Sequence, residues 1–363
     1  MMKKMVVVGM SGGVDSSVAA YLLKEQGYEV IGVTMQLWPK EAPLAGKEEG
    51  ACCGQRAAED AGRVAQILGI PHYVMNFRKE FQKNVVDYFV AEYLQGRTPN
   101  PCIACNRYVK WEALLKRSME IGADYIATGH YARIERLANG RFAVRNSVTA
   151  KKDQTYALYN LTQFQLAHTL MPVGDYTKEE IREMAEKLHL PVAGKPDSQD
   201  ICFVPDQDYA GFIEKSAPGR MPGKGNFVTQ DGQVLGTHKG IIHYTIGQRK
   251  GLGLSMGHPV FVSRLRPLTN EVVISDKDVF SGELVCDRTN FMGIEDLKEP
   301  ARLWAKVRYA HQGQWCMVQR TGEDELHAVF EEPVRAVTPG QAVVFYDGEY
   351  VMAGGTIRQS GPF

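Results

Sequence analysis

The chain is predicted to be α/β: a doubly wound parallel sheet, followed by a small β-rich domain and a C-terminal β-barrel. Three observations predict this. Strand-like and helix-like segments alternate over roughly the first 130 residues, the rhythm of a parallel sheet covered on both faces. Composition shifts at APGRMPGKG, residues 217–225, which reads as a linker. Beyond it, short β-type runs separated by Gly, Pro and Asp turns continue through residue 363, the pattern of a small barrel. The expected domains are 1–216, 217–282 and 283–363.

Met5–Val8 is an apolar, β-branched run and reads as the first strand. It enters SGGVDSS and then a helical pattern. A strand–glycine loop–helix unit points backbone N–H groups and the positive end of a helix dipole at an anion. Gly12 and Gly13 let the backbone close without a Cβ in the way. Ser11, Ser16 and Ser17 add hydroxyl donors. The loop lacks the Gly-Lys-Ser/Thr of P-loop NTPases and the G-x-G-x-x-G of dinucleotide folds. Asp15 falls near the helix N-terminus, where a carboxylate is favourable, and is a candidate Mg²⁺ ligand against phosphates.

Tyr28–Met35 reads as the second strand and residues 39–52 as a loop. A helix follows over 54–69, closed by Gly69 and Pro71. His72–Met75 is the third strand, and helices follow over 79–95 and 111–121. Asp124–Thr128 is the fourth strand, ending in Gly129-His130. Ligands of such sheets bind outside the carboxyl ends of the strands. The candidate nucleotide residues are therefore Gly9, Met10, Ser11, Gly12, Gly13, Val14, Asp15, Ser16, Met35 and Gly129, with Met35 against the adenine. Residues 133–146 read as a hairpin with a type I′ turn at Asn139-Gly140. Thr177–His189 reads as a helix opened by a capping box of Thr177 and Glu180. After the linker, FVTQDGQVLG, HYTIGQRKGLGL, VFVSRL and EVVISD read as short β-type runs.

Composition bounds the rest. A hydrophobic content of 44% with 23% charged residues is that of a soluble globular protein. No apolar run is long enough to span a bilayer. The two lysines and apolar run at the N-terminus resemble a signal peptide, but the run enters the glycine loop directly and so reads as a strand. A cytoplasmic location and no membrane partner are expected. Lys+Arg 42 balance Asp+Glu 42, so any RNA-binding surface must be a local basic patch. Seven cysteines is an odd number, and a reducing cytosol argues against a disulfide framework. Cys286 and Cys316, in strand-like surroundings, read as small buried hydrophobes.

Three other cysteines lie in polar settings. In TPNPCIACN, Pro99 and Pro101 constrain the backbone before Cys102 and Cys105. Arg107, Lys110, Lys116 and Arg117 follow, and cations favour the nucleophilic thiolate. Cys202 lies far along the chain in DSQDICF. The C-x-x-C could be half of a zinc site, but no second half completes it. It could be a redox pair, but the setting is not thioredoxin-like. The three could also be structural. Spacing alone leaves structure and chemistry equally open.

SGGVDSS resembles the PP-loop of ATP pyrophosphatases. SGGVDSS, RTPNPCIACN, ATGHYAR, KKDQTY, DSQDICF and HYTIGQRKGLGL, in this order across most of the chain, resemble the bacterial tRNA-specific 2-thiouridylases. The resemblance implies ATP with Mg²⁺, tRNA (the acceptors for Glu, Gln and Lys), and sulfur from a cysteine desulfurase or a relay protein. ATP would adenylate the C2 oxygen of wobble uridine 34. Cys202 would carry the persulfide and Cys105 would be the nucleophile, closing a transient Cys105–Cys202 disulfide. Many relatives carry aspartate where this chain has Cys102, which is assigned to substrate contact. Cys102, Cys105 and Cys202 could instead ligate an iron–sulfur (4Fe–4S) cluster presenting sulfide. Cys52-Cys53 is assigned a structural or peripheral role. The rival readings are an amide-forming PP-loop ligase, which needs no paired cysteines, and an RNA-binding or iron–sulfur protein without ATP chemistry.

A base must leave its stack to reach an adenylating site. The Asn100-Pro101-Cys102 turn is expected to contact that base. The resemblance assigns RNA contacts to His130 and to Lys152, Asp153 and Gln154, which otherwise read as a lone histidine and a solvated loop. Arg308-Tyr309 pairs a phosphate-binding cation with a stacking ring, and Gln341 could reach a base edge. The TIGQRKGL segment reads as a phosphate-contacting loop. A monomer is expected.

Overall fold

The computed structural model describes residues 3–37, 55–197, 201–204 and 206–362. The expected 39–52 loop, Cys52-Cys53 and Ser198–Asp200 lie outside the described residues. The chain divides into two compact units: Met1–Val86, Cys102–Gln207 and Glu349–Met352 in the first, and Asp87–Pro101, Asp208–Gly348 and Ala353–Phe363 in the second.

In the first unit β1 (Met5–Gly9), β2 (Glu29–Gln36), β3 (His72–Asn76), β4 (Tyr125–Ala127) and the short β7 (Thr169–Leu170) form one parallel sheet. Their order is β3-β2-β1-β4-β7. Val6, Val7 and Val8 are fully buried, as a strand covered on both faces requires. Helix α1 (Val14–Glu25) packs with α2 (Gln55–Leu68) and the helix Lys178–Lys187 through Val18, Val64, Ile181 and Ala185. That last helix carries the expected capping box, with Thr177 accepting from the Glu180 N–H and Glu180 from the Thr177 N–H. Between β4 and β7 lies an antiparallel hairpin, β5 (Ala132–Arg136) and β6 (Phe142–Asn146).

The hairpin turn is not type I′, because Gly140 has φ +83° while Asn139 is absent from the positive-φ residues. Gly140 N–H bonds to Leu137 O and Leu137 N–H to Arg141 O, so the connection is a three-residue loop ending in a left-handed glycine. The C-x-x-C does not lie in a turn ahead of a helix beginning at Trp111. A helix starts at Pro101 and continues, with a π-helical stretch over Cys105–Leu114, to Glu120. Proline is preorganised for the first helical position, where its missing N–H costs nothing.

The second unit holds two sheets. One has the order β10-β11-β8-β9, from β8 (Gly225–Val228), β9 (Val234–His238), β10 (Phe261–Arg266) and β11 (Glu271–Ser275). HYTIGQRKGLGL is not a strand: beyond a short turn of helix at Ile241–His243 it is irregular, with Gly247, Gly251 and Gly253 all at positive φ. Glycines in that region of φ cannot hold a pleated strand. The other sheet is a closed barrel of β12 (Phe280–Phe291), β13 (Ala301–Lys306), β14 (Gln314–Gly322), β15 (Glu325–Arg335), β16 (Ala342–Asp347) and β17 (Tyr350–Pro362). The β12–β17 pairing closes it, which removes the exposed edges. Cys286 and Cys316 are wholly buried in it, and desolvation pushes the Cys316 thiol up to about 12 and the Cys286 thiol higher. Both behave as the small hydrophobes expected. Among the described residues no helix is long and apolar enough to cross a membrane.

Candidate active site

The glycine loop sits where the strand-end rule puts it, between β1 and α1. Gly12 has φ +69°, and a Cβ there would lie 2.5 Å from the Ala57 carbonyl oxygen. The position therefore requires glycine twice over. Gly13 does not: its φ is −102° and a Cβ would meet only Ser11 Oγ at 3.5 Å. Ser16 Oγ accepts the Ser11 N–H at 3.2 Å and lies 3.3 Å from Ser11 Oγ. Ser17 is fully buried, and its hydroxyl bonds to the Gly13 carbonyl at 2.8 Å, so it shapes the loop from within. Met10, Val14 and Met35 are buried, with Met35 near the carboxyl end of β2. Gly9 closes β1. Gly129 follows β4, and a Cβ on it would stand 2.6 Å from Ser16 N and 2.7 Å from Asp15 C. The end of β4 thus touches the backbone at the start of α1.

Asp15 is not an open carboxylate. Its Oδ1 accepts from Lys178 Nζ at 2.6 Å and from Tyr131 OH at 2.7 Å. Desolvation, and then the Asp15 charge, push the Tyr131 hydroxyl pKa up, so it remains a donor. Lys178 Nζ also meets Asp197 Oδ1 at 2.7 Å, and Lys152 Nζ meets Asp197 Oδ2 at 2.6 Å. Burial alone would raise the Asp197 pKa, but hydrogen bonds from Lys152 and Lys178 bring it down to about 2. A third lysine, Lys195, donates to the Gly12 carbonyl at 3.0 Å and pairs with Asp60. Sequence reading missed Lys178, Tyr131, Asp197 and Lys195. One signal was available: Lys178 falls in register with buried Ile181 and Ala185 on an amphipathic helix, where a charge needs a partner. Among the described residues no group of three or more His, Cys, Asp or Glu could hold a metal ion. Asp15 is thus engaged with Lys178 and Tyr131, and Cys102, Cys105 and Cys202 do not form a ligand set.

The thiols differ in exposure: Cys102 is exposed, while Cys105 and Cys202 are half-buried. Cys102 and Cys105 are three residues apart on one helix and so share a face. Asn106 is buried and donates to the Ala157 carbonyl at 2.9 Å, while its Oδ1 accepts from Lys110 Nζ at 2.8 Å. Trp111 Nε1 donates to Thr169 Oγ1 at 2.8 Å, and Gln165 Nε2 to the Trp111 carbonyl at 3.0 Å. This helix is tied down along its length. Phe203, next to Cys202, is buried and stacks edge-on against Phe81 at 5.9 Å between centroids. The helix Arg78–Phe81 also packs on the Cys105–Leu114 stretch. The two thiol-bearing segments therefore share a neighbour.

His130 packs 5.6 Å from Trp111 between ring centroids, 2.7 Å from Thr128 Oγ1 through Nδ1, and 3.4 Å from Lys110 Nζ through Nε2. Desolvation first, and the Lys110 charge second, hold its pKa well below 6.5, so it is neutral with Nε2 as an acceptor. The folded-state value is depressed, so the unfolded chain binds the extra proton and stability falls as pH drops below 6.5. His130→Gln is expected to reduce proton uptake on unfolding by up to about one between roughly pH 6.5 and pH 5. Urea midpoints measured across that range check it. An unchanged slope would refute the assignment; His72, His238, His243 and His311, also depressed, retain the remainder.

Lys152 pairs with Asp197, as above. Asp153 serves its own turn, its carboxylate accepting from the Ser147 N–H at 2.9 Å and from Thr155 Oγ1 at 2.6 Å. Gln154 accepts the Tyr131 N–H at 2.9 Å and returns its own N–H to the Tyr131 carbonyl at 2.9 Å. In the second unit Arg308 donates to the Arg335 carbonyl at 2.8 Å, and Tyr309 is exposed beside it. Gln341 donates its amide to the Thr98 carbonyl at 2.6 Å, while the Thr98 N–H bonds to Pro339 O at 2.9 Å. The Pro339-Gly340-Gln341 turn therefore holds the segment leading to Asn100 and Pro101, which are half-buried and buried.

Protein-family models match in three stretches: a tRNA methyl transferase HUP domain over residues 4–206, a tRNA methyl transferase PRC-barrel domain over 211–276, and an aminomethyltransferase beta-barrel domain over 281–357. The chain is 63% identical over 355 residues to the tRNA-specific 2-thiouridylase MnmA of Lachnoclostridium phytofermentans, covering 98% of this chain and 99% of that one. It is 54% identical over 361 residues to the MnmA of Clostridioides difficile, covering 99% of each. The Carboxydothermus hydrogenoformans MnmA is 53% identical over 98% of both chains. The descriptions differ over the reaction, methyl transfer against thiolation. Near-full-length identity above one half outweighs a domain label.

Proposed function

Since the chain belongs to the tRNA-specific 2-thiouridylase family, we propose that it is a tRNA-uridine 2-sulfurtransferase that uses ATP to thiolate the wobble uridine. The SGGVDSS loop binds the β,γ-pyrophosphate, with Gly9–Ser16, Met35 and Gly129 around the nucleotide. ATP adenylates the C2 oxygen of uridine 34 and pyrophosphate leaves. A persulfide on Cys202 attacks C2 and expels AMP, leaving a C2–S–S–Cys202 link. The Cys105 thiolate attacks the Cys202 sulfur, and the freed sulfur stays on C2 as the thiocarbonyl. The resulting disulfide needs a dithiol reductant before the next turn. Mg²⁺ accompanies ATP as part of the substrate. The persulfide is loaded by a cysteine desulfurase or relay protein.

One observation carries this reading: Lys178 bonds at once to Asp15 of the nucleotide loop and to Asp197 of the segment leading to Cys202. An amide-forming ligase has no use for a cysteine segment tied to its nucleotide loop. The cluster route needs three thiols in one ligand group, and no such group occurs among the described residues. Asn100, Pro101, Cys102, His130, Lys152, Asp153, Gln154, Arg308, Tyr309 and Gln341 are the proposed RNA contacts, Asp153, Gln154 and Gln341 acting through the backbone they hold. The test is anaerobic incubation of the protein with unmodified tRNA for Glu, Gln or Lys, ATP, Mg²⁺ and a desulfurase. The expected products are 2-thiouridine, AMP and pyrophosphate in equal amounts, with no iron bound. Thiolation that depends on bound iron would favour the cluster instead.

A further inference from the structure

We propose that Lys178 is a positioning residue that keeps base activation and sulfur delivery in step, by clamping the nucleotide loop to the Cys202 segment. The inference rests on the activity above and adds to it a residue outside the nucleotide loop and the cysteine pair.

The Lys178 side chain is only 7% exposed, at the first position of the helix Lys178–Lys187. Cations are disfavoured at a helix N-terminus, and burying an ammonium is costly. The helix could bury its stripe of Ile181 and Ala185 with an apolar residue at 178 for less. What the lysine adds is a pair of short ion pairs: 2.6 Å to Asp15 Oδ1 and 2.7 Å to Asp197 Oδ1. Each end is held from a second side. Tyr131 fixes Asp15 at 2.7 Å, and Lys152 fixes Asp197 at 2.6 Å, with Arg182 at 3.7 Å. Asp15 belongs to the first turn of α1, whose N–H groups receive the anion. Asp197 precedes Cys202 in the same segment, and Phe203 anchors its far side on Phe81. One ammonium thus ties the start of α1 to Asp197, five residues before Cys202 in the chain. Without the clamp, the adenylated C2 outlives its sulfur donor. Water then attacks C2, restores the carbonyl oxygen and expels AMP unproductively.

The test uses full-length protein, tRNA transcript, ATP, Mg²⁺ and a persulfide donor, and reads AMP released and 2-thiouridine formed in a single turnover. Wild type should give equal amounts. Lys178→Met is expected to slow thiolation about 10²-fold and to raise the ratio of AMP to 2-thiouridine at least about fivefold. KM for ATP should stay within about threefold, since the phosphate ligands remain. Lys178→Arg should restore the ratio in part. Asp197→Asn, isosteric and nearer solvent, should uncouple in the same direction and decides the matter if Lys178→Met does not fold. Both steps falling together at an unchanged ratio, in Lys178→Met and Asp197→Asn alike, would overturn the proposal and leave a merely structural ion pair. A wild-type protein that forms no 2-thiouridine would overturn the activity itself.

Discussion

Replacing Cys105 with serine is expected to cut 2-thiouridine formation by at least about 10³-fold while the protein still folds and binds ATP. A serine hydroxyl is scarcely ionised at neutral pH, whereas a thiol offers a thiolate that attacks sulfur readily. The substitution removes one sulfur from a half-buried position, and the helix around it is held by Asn106, Trp111 and Gln165 independently of Cys105. The block falls after persulfide attack. A tRNA–protein adduct through Cys202 should therefore accumulate in a single turnover and be released as thiolated tRNA by added dithiol. Cys202→Ser should be equally inactive but form no adduct. Cys286→Ala, in the barrel core, should lower the melting temperature and spare thiolation. A Cys105→Ser protein within about tenfold of wild type would rule out the nucleophile assignment.

The second large effect is expected at Gly129. In Gly129→Ala the new methyl would stand 2.6 Å from Ser16 N and 2.7 Å from Asp15 C, where ordinary contact begins near 3.4 Å. Both neighbours are backbone atoms and cannot swing aside as a side chain does. The start of α1 must move by several tenths of an ångström, taking with it the N–H groups proposed to hold the phosphates. KM for ATP should rise at least about tenfold, equivalent to about 1.4 kcal/mol. The chemical step should fall up to about 10²-fold, as misplacement on this scale does elsewhere. Affinity for tRNA should change little. Gly223→Ala, where a Cβ meets nothing within 4 Å and φ is not positive, is the matched control and should be silent. Unaltered ATP kinetics in Gly129→Ala would mean that β4 does not buttress the loop.

Local chemistry was legible wherever a segment carries its own instructions. The apolar runs of β1 to β4, the Thr177–Glu180 capping box and the buried barrel cysteines follow from periodicity, hydrogen-bond capacity and hydrophobicity within a few residues. The errors came where a local signal had two readings. Pro101 reads as part of a turn and is a helix starter. Asn139-Gly140 looked like a two-residue turn and is part of a longer one. The glycines of TIGQRKGL make an irregular segment where the sequence reads as a β-type run. Asp15 shows the limit most clearly. Its place at the start of α1 names no protein partner, and the two that folding supplies, Tyr131 and Lys178, lie far along the chain.

The sequence by itself determined the parallel-sheet unit, its glycine loop, the two β-rich parts and the cysteines buried in the barrel. Those are properties of contiguous residues, set by period, turn chemistry and residue type. Only the tertiary structure decided what Asp15, Asp197, Lys178 and Gln341 do. A charge or an amide takes its role from whatever partner folding brings within about 3 Å, and no local pattern names a partner from a distant part of the chain.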